Sequence, residues 1–311
     1  MIALWGAPGD GPLDVVRACL MRFGAEFRVL DQRDDAAGEV TTRVVGGRLR
    51  MTMENRDLKN RLDFDRVRAA YLRPAETERA LPSALANDPA SRLRAERMTR
   101  SMIAWANLTD ALVVNPPAAM AVNNSKPHQL RLIAQCGFSV PDTLVTTEPA
   151  AVRSFAARHG RIIYKSVSGT RSIVNVLDDA GAERINHVAN APTQFQEYVP
   201  GRDIRVHVVG SELFATEVHS AAPDYRYAGL QGHDVMLAAT DIPAAIAQRC
   251  RSMASAMKLA VAGIDLRCTP SGEFVCFEVN PSPAFVYYEQ ATGQPIGAAI
   301  AKLLIQADCG S

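Results

Sequence analysis

The stretch "VCFEVNPSP" at residues 275–283 sets a carboxylate and an amide two positions apart on an apolar run that then meets two prolines. Val275, Phe277 and Val279 alternate with Cys276, Glu278 and Asn280, which is the period of a β-strand. Residues i and i+2 of a strand share a face, so Glu278 and Asn280 project together. Asp265 ends "VAGID" on the preceding apolar segment, and Pro270-Ser271-Gly272 offers a hairpin turn between the two. If the segments pair, two carboxylates and an amide oxygen meet on one patch. Oxygen-only ligands suit Mg²⁺, which keeps waters and shares its remaining positions with phosphates. The competing reading is an edge strand with solvated polar residues. Pro281 and Pro283 stop the strand at the mouth of such a site.

Cationic residues upstream supply the opposite charge. Lys165 lies within the apolar strand "IIYKSV", where an inward ammonium costs several kcal/mol unless a negative partner such as phosphate neutralises it. The next residues, "SVSGTRS", include Ser168 and Gly169; small hydroxylated loops of this kind bring N–H groups and hydroxyls onto phosphate oxygens, and also close ordinary hairpins. The spacing is not that of a P-loop. Lys126 opens a helix after "NNS", where an anion would use the lysine and the helix N-terminus, or where the lysine is simply solvated. In "TQFQEYVPGRDIRV" the segment Glu197, Tyr198, Val199 can offer backbone groups to an adenine edge. Asp203 and Arg205 share one strand face. Arg205 is placed to neutralise a transferring phosphoryl group, the alternative being a surface ion pair of little energetic weight.

Two further segments bear on a substrate. "AFVYYEQATGQPI" carries three aromatics beyond the proposed cation site, and Tyr287 is the candidate for a substrate wall, against a reading as core. Arg73, after "YL", is a candidate for a substrate carboxylate. "GAPGDG" near the start follows a strand and opens a helix, but a βα turn needs glycine without any nucleotide.

These groups need elements to position them. Residues 1–117 read as an α/β unit: strands "IALWG", "FRVLD", "RAAYLRP" and "ALVVN", a helix with Val15, Val16, Cys19 and Leu20 on one face, a hairpin turning at Gly46-Gly47, and a long helix over about Ser83 to Leu108. Strands alternating with helices imply a largely parallel sheet. A boundary falls in "NPPAAMAVNNSKPHQL". Residues 118–195 then carry the two lysines and the small-residue loop, and residues 196–311 carry the proposed hinge and cation site in mostly β structure. The fold class is α/β, turning α+β in the C-terminal half.

The 311 residues are 48% hydrophobic, enough for two or three core-forming units. A net charge of +1 gives no basic bias toward nucleic acid or an acidic membrane surface. The start lacks a basic n-region, and no apolar run approaches the length of a bilayer span, so a cytoplasmic protein is expected. The six cysteines form no C-x-x-C pair, as free thiols in a reducing compartment would not.

Taken in order, Lys126, Lys165 with its loop, "QEYVPGRDIRV", "AGID" and "FEVNPSP" resemble the ATP-grasp ligases, in the branch of glutathione synthetases and RimK-like glutamate ligases. The resemblance runs from about Asn115 to Ile305. "VNPPAA", "FSVPDTLVTTEPAAVRSF", "IIYKSVSG", "DYR", "YYEQATGQPIGAAIAKLLI" and "YLRP" are similar to the ATP-grasp maturases that crosslink microviridin-type peptides (graspetides). The resemblance implies an N-terminal pre-ATP-grasp domain and a two-subdomain ATP-grasp fold. It implies that Lys126 and Lys165 hold the ATP phosphates and that Glu197, Tyr198 and Val199 form an adenine hinge. Asp203 would lie near the ribose or the substrate. Arg205 and Arg226 would contact phosphates and an acyl phosphate. Asp265, Glu278 and Asn280 would bind one or two Mg²⁺ ions, with Mn²⁺ as the alternative.

The activity expected from this set is an ATP-dependent carboxylate–amine ligase working through an acyl phosphate, with an amino-acid or peptide substrate. A maturase that makes side-chain esters or amides in a precursor peptide is the second reading. A nucleotide-binding regulator without turnover is the third. A homodimer is the expectation by analogy, with neither nucleic acid nor membrane as a partner.

Overall fold

A computed structural model of the chain describes residues 1–55, 60–167, 174–178, 181, 184–220 and 234–310. The first third holds strands β1 (Ile2–Gly6), β2 (Phe27–Asp31), β3 (Gly38–Val45), β4 (Arg48–Asn55), β5 (Asn60–Asp63), β6 (Ala69–Arg73) and β7 (Leu112–Val114). Four of them make a parallel sheet in the order β2-β1-β6-β7. The other three form an antiparallel sheet whose first hairpin turns at Gly46 and Gly47, φ 57° and 77°. That left-handed pair is why the turn reads GG.

One difference from the sequence reading has a local cause. The long helix is broken into Ser83–Ala86 and Pro89–Leu108, because Pro89 cannot continue a helix and Asp88 caps the second piece, its carboxylate accepting from Ser91 N–H at 2.8 Å. The short strand β5 was not foreseen.

The middle of the chain carries β8 (Thr143–Thr146), β9 (Ile162–Ser166), β10 (Asn175–Val176) and β11 (Thr193–Glu197), antiparallel in the order β10-β9-β11-β8. One face of this sheet packs Ile162 and Phe195 on Val152 and Phe155 of the helix Pro149–His159, a small core of its own. The last third carries β12 (Arg202–Val209), β13 (Glu212–Ser220), β14 (Val235–Thr240), β15 (Val261–Cys268) and β16 (Phe274–Asn280), antiparallel in the order β14-β13-β12-β15-β16. The strand β14 and the helix Val286–Thr292 are additions to the sequence reading.

Burial links the ends of the chain. Ile2, Leu4 and Leu20 share one core with Val209, Val261, Phe285, Ile300 and Leu304. The other face of the C-terminal sheet, with Val206, Ile264 and Val279, packs on Ile133 and on Met253, which sit on the helices Lys126–Gln135 and Ala244–Ala256. The helix that Lys126 opens therefore belongs to the C-terminal sheet, while Lys165 lies on the middle sheet.

Asn115 fastens these parts. Its amide donates to Val261 C=O at 2.6 Å and Pro281 C=O at 2.5 Å and accepts from the N–H groups of Ala260 at 2.8 Å and Val261 at 3.1 Å. Every hydrogen-bonding position of this buried side chain is used. Among the described residues, no helix is long and apolar enough to cross a membrane.

Candidate functional site

The face of the C-terminal sheet opposite Val206 and Ile264 carries charge in rows set by strand register. Thr216 of β13 lies opposite Arg205 of β12, Arg205 opposite Asp265 of β15, and Asp265 opposite Glu278 of β16. Glu278 is then met by Lys126 from the helix beside β16. Directly opposed residues of antiparallel strands point to the same side, so one row brings together hydroxyl, guanidinium, two carboxylates and ammonium.

The distances are those of charge-assisted bonds. Arg205 Nη1 lies 2.5 Å from Asp265 Oδ1, and Lys126 Nζ lies 2.5 Å from Glu278 Oε1. Lys126 Nζ also donates to Asn123 Oδ1 at 2.8 Å. Arg205 and Lys126 are nearly buried, and the two carboxylates are more open.

The strict alternation expected along 275–280 fails at one place. Asp265 faces Glu278 but Leu266 faces Cys276, so Phe277 is the extra residue of a β-bulge. The bulge turns Cys276 into the core with Val279 and keeps Glu278 and Asn280 on the charged face. Burial pushes the Cys276 thiol well above its ordinary value.

Asn280 stands opposite Gly263, on the same face as the two carboxylates, and its Oδ1 accepts from Ser282 N–H at 2.9 Å. Its oxygen is thus engaged with the turn at the strand end. The two carboxylates are oxygen donors opposed on neighbouring strands, the donor type that suits a divalent cation, and a cation there would compete with the Arg205 and Lys126 pairs they already make.

Three residues that the sequence reading did not single out shape this row. Gln129, one turn after Lys126, pairs its amide with the backbone of Val279: Nε2 donates to the C=O at 2.8 Å and Oε1 accepts from the N–H at 3.1 Å. This pairing satisfies part of the outer edge of β16 and fixes the helix so that Lys126 reaches Glu278. Gly263 leaves room for Arg205, since a Cβ there would stand 2.0 Å from Nη2 and 2.6 Å from Cζ. Tyr288, not its neighbour, lies against the arginine: its ring centroid is 5.7 Å from Arg205 Cζ and 4.9 Å from the His207 ring. Tyr287 is 52% exposed, in edge contact with Tyr288. Arg205 Nε donates toward His207 Nε2 at 3.5 Å, and burial, aided by the guanidinium, holds His207 well below its ordinary pKa and so neutral.

Asp203 sits one row along and pairs with Arg267, Oδ1 to Nε 2.7 Å. Arg267 Nη1 also donates to Val199 C=O at 2.8 Å. In the segment expected to form a hinge, Glu197 N–H donates to Asp142 C=O at 3.1 Å and Tyr198 N–H to Arg161 C=O at 3.0 Å. The Tyr198 ring stacks under the Arg161 guanidinium at 3.8 Å. Val199 N–H has no hydrogen-bond partner among the described residues. On the middle sheet Lys165 is buried opposite Gln194, on the face away from Phe195. Arg73 reaches the other end of the site, with Nε 2.5 Å from Asp10 Oδ1 and Nη1 2.8 Å from Ser282 Oγ. Ser168, Gly169 and Arg226 lie outside the described residues.

Residues 123–304 match the RimK-like ATP-grasp domain. A probable alpha-L-glutamate ligase 1 of Shewanella amazonensis is 29% identical over 199 residues, 60% of this chain and 65% of that protein. A ribosomal protein bS6–L-glutamate ligase of Escherichia fergusonii is 31% identical over 198 residues, 59% of this chain and 64% of that protein. The match thus spans less than two thirds of the length of both relatives. Among solved structures, the ATP-grasp ligase PsnB complexed with a phosphomimetic variant of its minimal precursor, Mg and ADP superposes with a TM-score of 0.79 at 26% identity, covering 99% of this chain and 98% of that one. A Chryseobacterium gregarium RiPP-associated ATP-grasp ligase, in complex with ADP and a leader and core peptide, reaches 0.80 at 19% identity, covering 98% and 96%, and speaks to the fold. The domain match takes in Lys126, the paired carboxylates and the strands that align them, and the chain belongs to the RimK-like ATP-grasp family.

Proposed function

We propose that the protein is an ATP-dependent ligase that converts a side-chain carboxylate of a peptide into an acyl phosphate and joins it to a nucleophile of that peptide. The observation that carries ligase chemistry is the row in which Asp265 faces Glu278 while Arg205 and Lys126 neutralise them. Asp265, Glu278 and Asn280 would hold Mg²⁺, or Mn²⁺ in its place, which when bound offsets the charge of the triphosphate. Arg205 is held to place its charge on the transferring phosphoryl group, with Gly263, His207 and Tyr288 fixing where it lies. Lys126 and Lys165, approaching from different sheets, would bracket the phosphates. No protein nucleophile is required. An amine or a hydroxyl of the substrate attacks the activated carbonyl and phosphate leaves.

The peptide substrate is supported by the extent of the likeness: PsnB, solved with a precursor, corresponds to the whole of this chain, whereas the glutamate ligases correspond to part of it. The 31% identity to the bS6–glutamate ligase favours a second reading, addition of an amino acid to a protein or peptide. Incubation with ATP, Mg²⁺ and either a Thr/Ser/Asp/Glu-rich peptide or free amino acids, followed by mass spectrometry, separates them. The proposal expects ADP and loss of one water per bond from the peptide. A gain of an amino-acid residue mass establishes the second reading, and nucleotide binding without ADP release overturns both in favour of a silent regulator.

A further inference from the structure

Asp265 and Glu278 are each held by a cationic side chain. Asn280, the last residue of the edge strand β16, has one side-chain hydrogen bond among the described residues, that from Ser282 N–H at 2.9 Å. An amide oxygen has two lone pairs, so this bond sets the direction of Oδ1 and leaves a pair for another partner. Where Asn280 points thus depends on where the turn after it lies. Two side chains from the first third of the chain grip that turn. Asn115, which follows β7, donates to Pro281 C=O at 2.5 Å. Arg73, the last residue of β6, donates from Nη1 to Ser282 Oγ at 2.8 Å. β6 and β7 are neighbours, so one end of the parallel sheet holds two successive residues of the turn.

Arg73 is itself aimed. Asp10, in the "GAPGDG" turn after β1, caps the helix Gly11–Arg22 by accepting from Leu13 N–H at 2.9 Å, and the same Oδ1 accepts from Arg73 Nε at 2.5 Å. The chain leaves β1 for β2 on one side and comes back to β6 on the other. Such a reversal of strand order opens the crevice in which open α/β sheets receive ligands, and here its arginine is turned to the chain's own Ser282. With its charge met by Asp10, this guanidinium exerts less pull on a substrate carboxylate than a bare one would.

Resting on the reading that Asp265, Glu278 and Asn280 hold a divalent cation, we infer that Arg73 is a positioning residue for that cation: aimed by Asp10, it pins Ser282 and so keeps Asn280 Oδ1 turned to the charged face beside Glu278. The partners behind a ligand tune metal affinity although they never touch the metal.

The test uses Mn²⁺ as the probe, titrated into the full chain with ADP present and followed by the electron paramagnetic resonance of the free ion. Ser282→Ala removes the oxygen that Arg73 grips and keeps the N–H that Asn280 needs. It and Arg73→Met are each expected to weaken Mn²⁺ binding about tenfold. The double variant is expected to lose no more than either alone, since both cut one contact. ADP affinity without the cation, by calorimetry, is expected to stay within about twofold, which a general loosening of the fold would not leave intact. Should Arg73→Met fail to fold, Ser282→Ala, at an exposed side chain, carries the readout. Unchanged Mn²⁺ affinity in Ser282→Ala overturns the inference, as does a double variant whose losses add. Failure of Mn²⁺ to bind the parent, or undiminished binding to Glu278→Gln, overturns instead the cation reading on which the inference rests.

Discussion

Glu278 faces Asp265 and receives Lys126, so charge of both signs meets at it. Glu278→Gln keeps the shape and a hydrogen bond to Lys126 but removes the negative charge. The expected result is a loss of turnover of about 10²–10³-fold with little change in melting temperature, read by ADP release and thermal unfolding. Retained turnover would place the cation elsewhere. Asp35 is a carboxylate with a different role. It is fully buried, its oxygens lack hydrogen-bond partners among the described residues, and burial pushes its pKa up to about 8. The folded value lies above the unfolded value of about 3.9, so the stability tied to the neutral acid is complete below pH ~4 and is lost as pH rises through about 8. Asp35→Asn should flatten the fall in melting temperature between about pH 4 and 8. Equal slopes in both proteins would mean that Asp35 is already ionised. The residues that were legible in the sequence, Asp265, Glu278, Lys126 and Arg205, sit on regular elements whose period fixes their direction. Gly263, His207 and Tyr288 were not legible, because their effect lies in what they let Arg205 do from a different strand or helix.

At the scale of elements, the site depends on one helix held to one edge strand. Gln129 binds both backbone groups of Val279, and that contact sets the reach of Lys126. Gln129→Met should leave these two groups unmet, costing about 1–3 kcal/mol in denaturant unfolding and weakening nucleotide binding together. Stability lost with unaltered nucleotide affinity would show that Lys126 finds Glu278 without this guide. The strands themselves were readable from alternation. The bulge at Phe277 was not, since an extra residue breaks the period without changing the composition, and it is what separates Cys276 from Glu278. Pro89 was a visible breaker inside the helical pattern, and the observed split follows from it. The helix Val286–Thr292 was hidden because Tyr288 serves both the core and the arginine while Tyr287 is exposed, which blurs any single hydrophobic face.

On the scale of the molecule, Asn115 and the shared core join the start of the chain to its end. Asn115→Ala would strip partners from Ala260, Val261 and Pro281 at once, and an expected loss of about 3 kcal/mol or more should appear as a lower unfolding midpoint. Unfolding that splits into two transitions would show that the ends fold separately. No sequence pattern announced this link, because an asparagine after a strand reads as an ordinary turn residue. The middle sheet has a separate fate. Among the described residues its apolar support is a few side chains from its own helices and strands, while the carboxylate row rides on the larger body. Fewer apolar contacts mean a lower opening energy, so amide protons of β8 to β11 should exchange sooner than those of β12 and β15. A nucleotide seated as proposed would then escape through the breathing of that small lobe, while the floor beneath its phosphates stays shut.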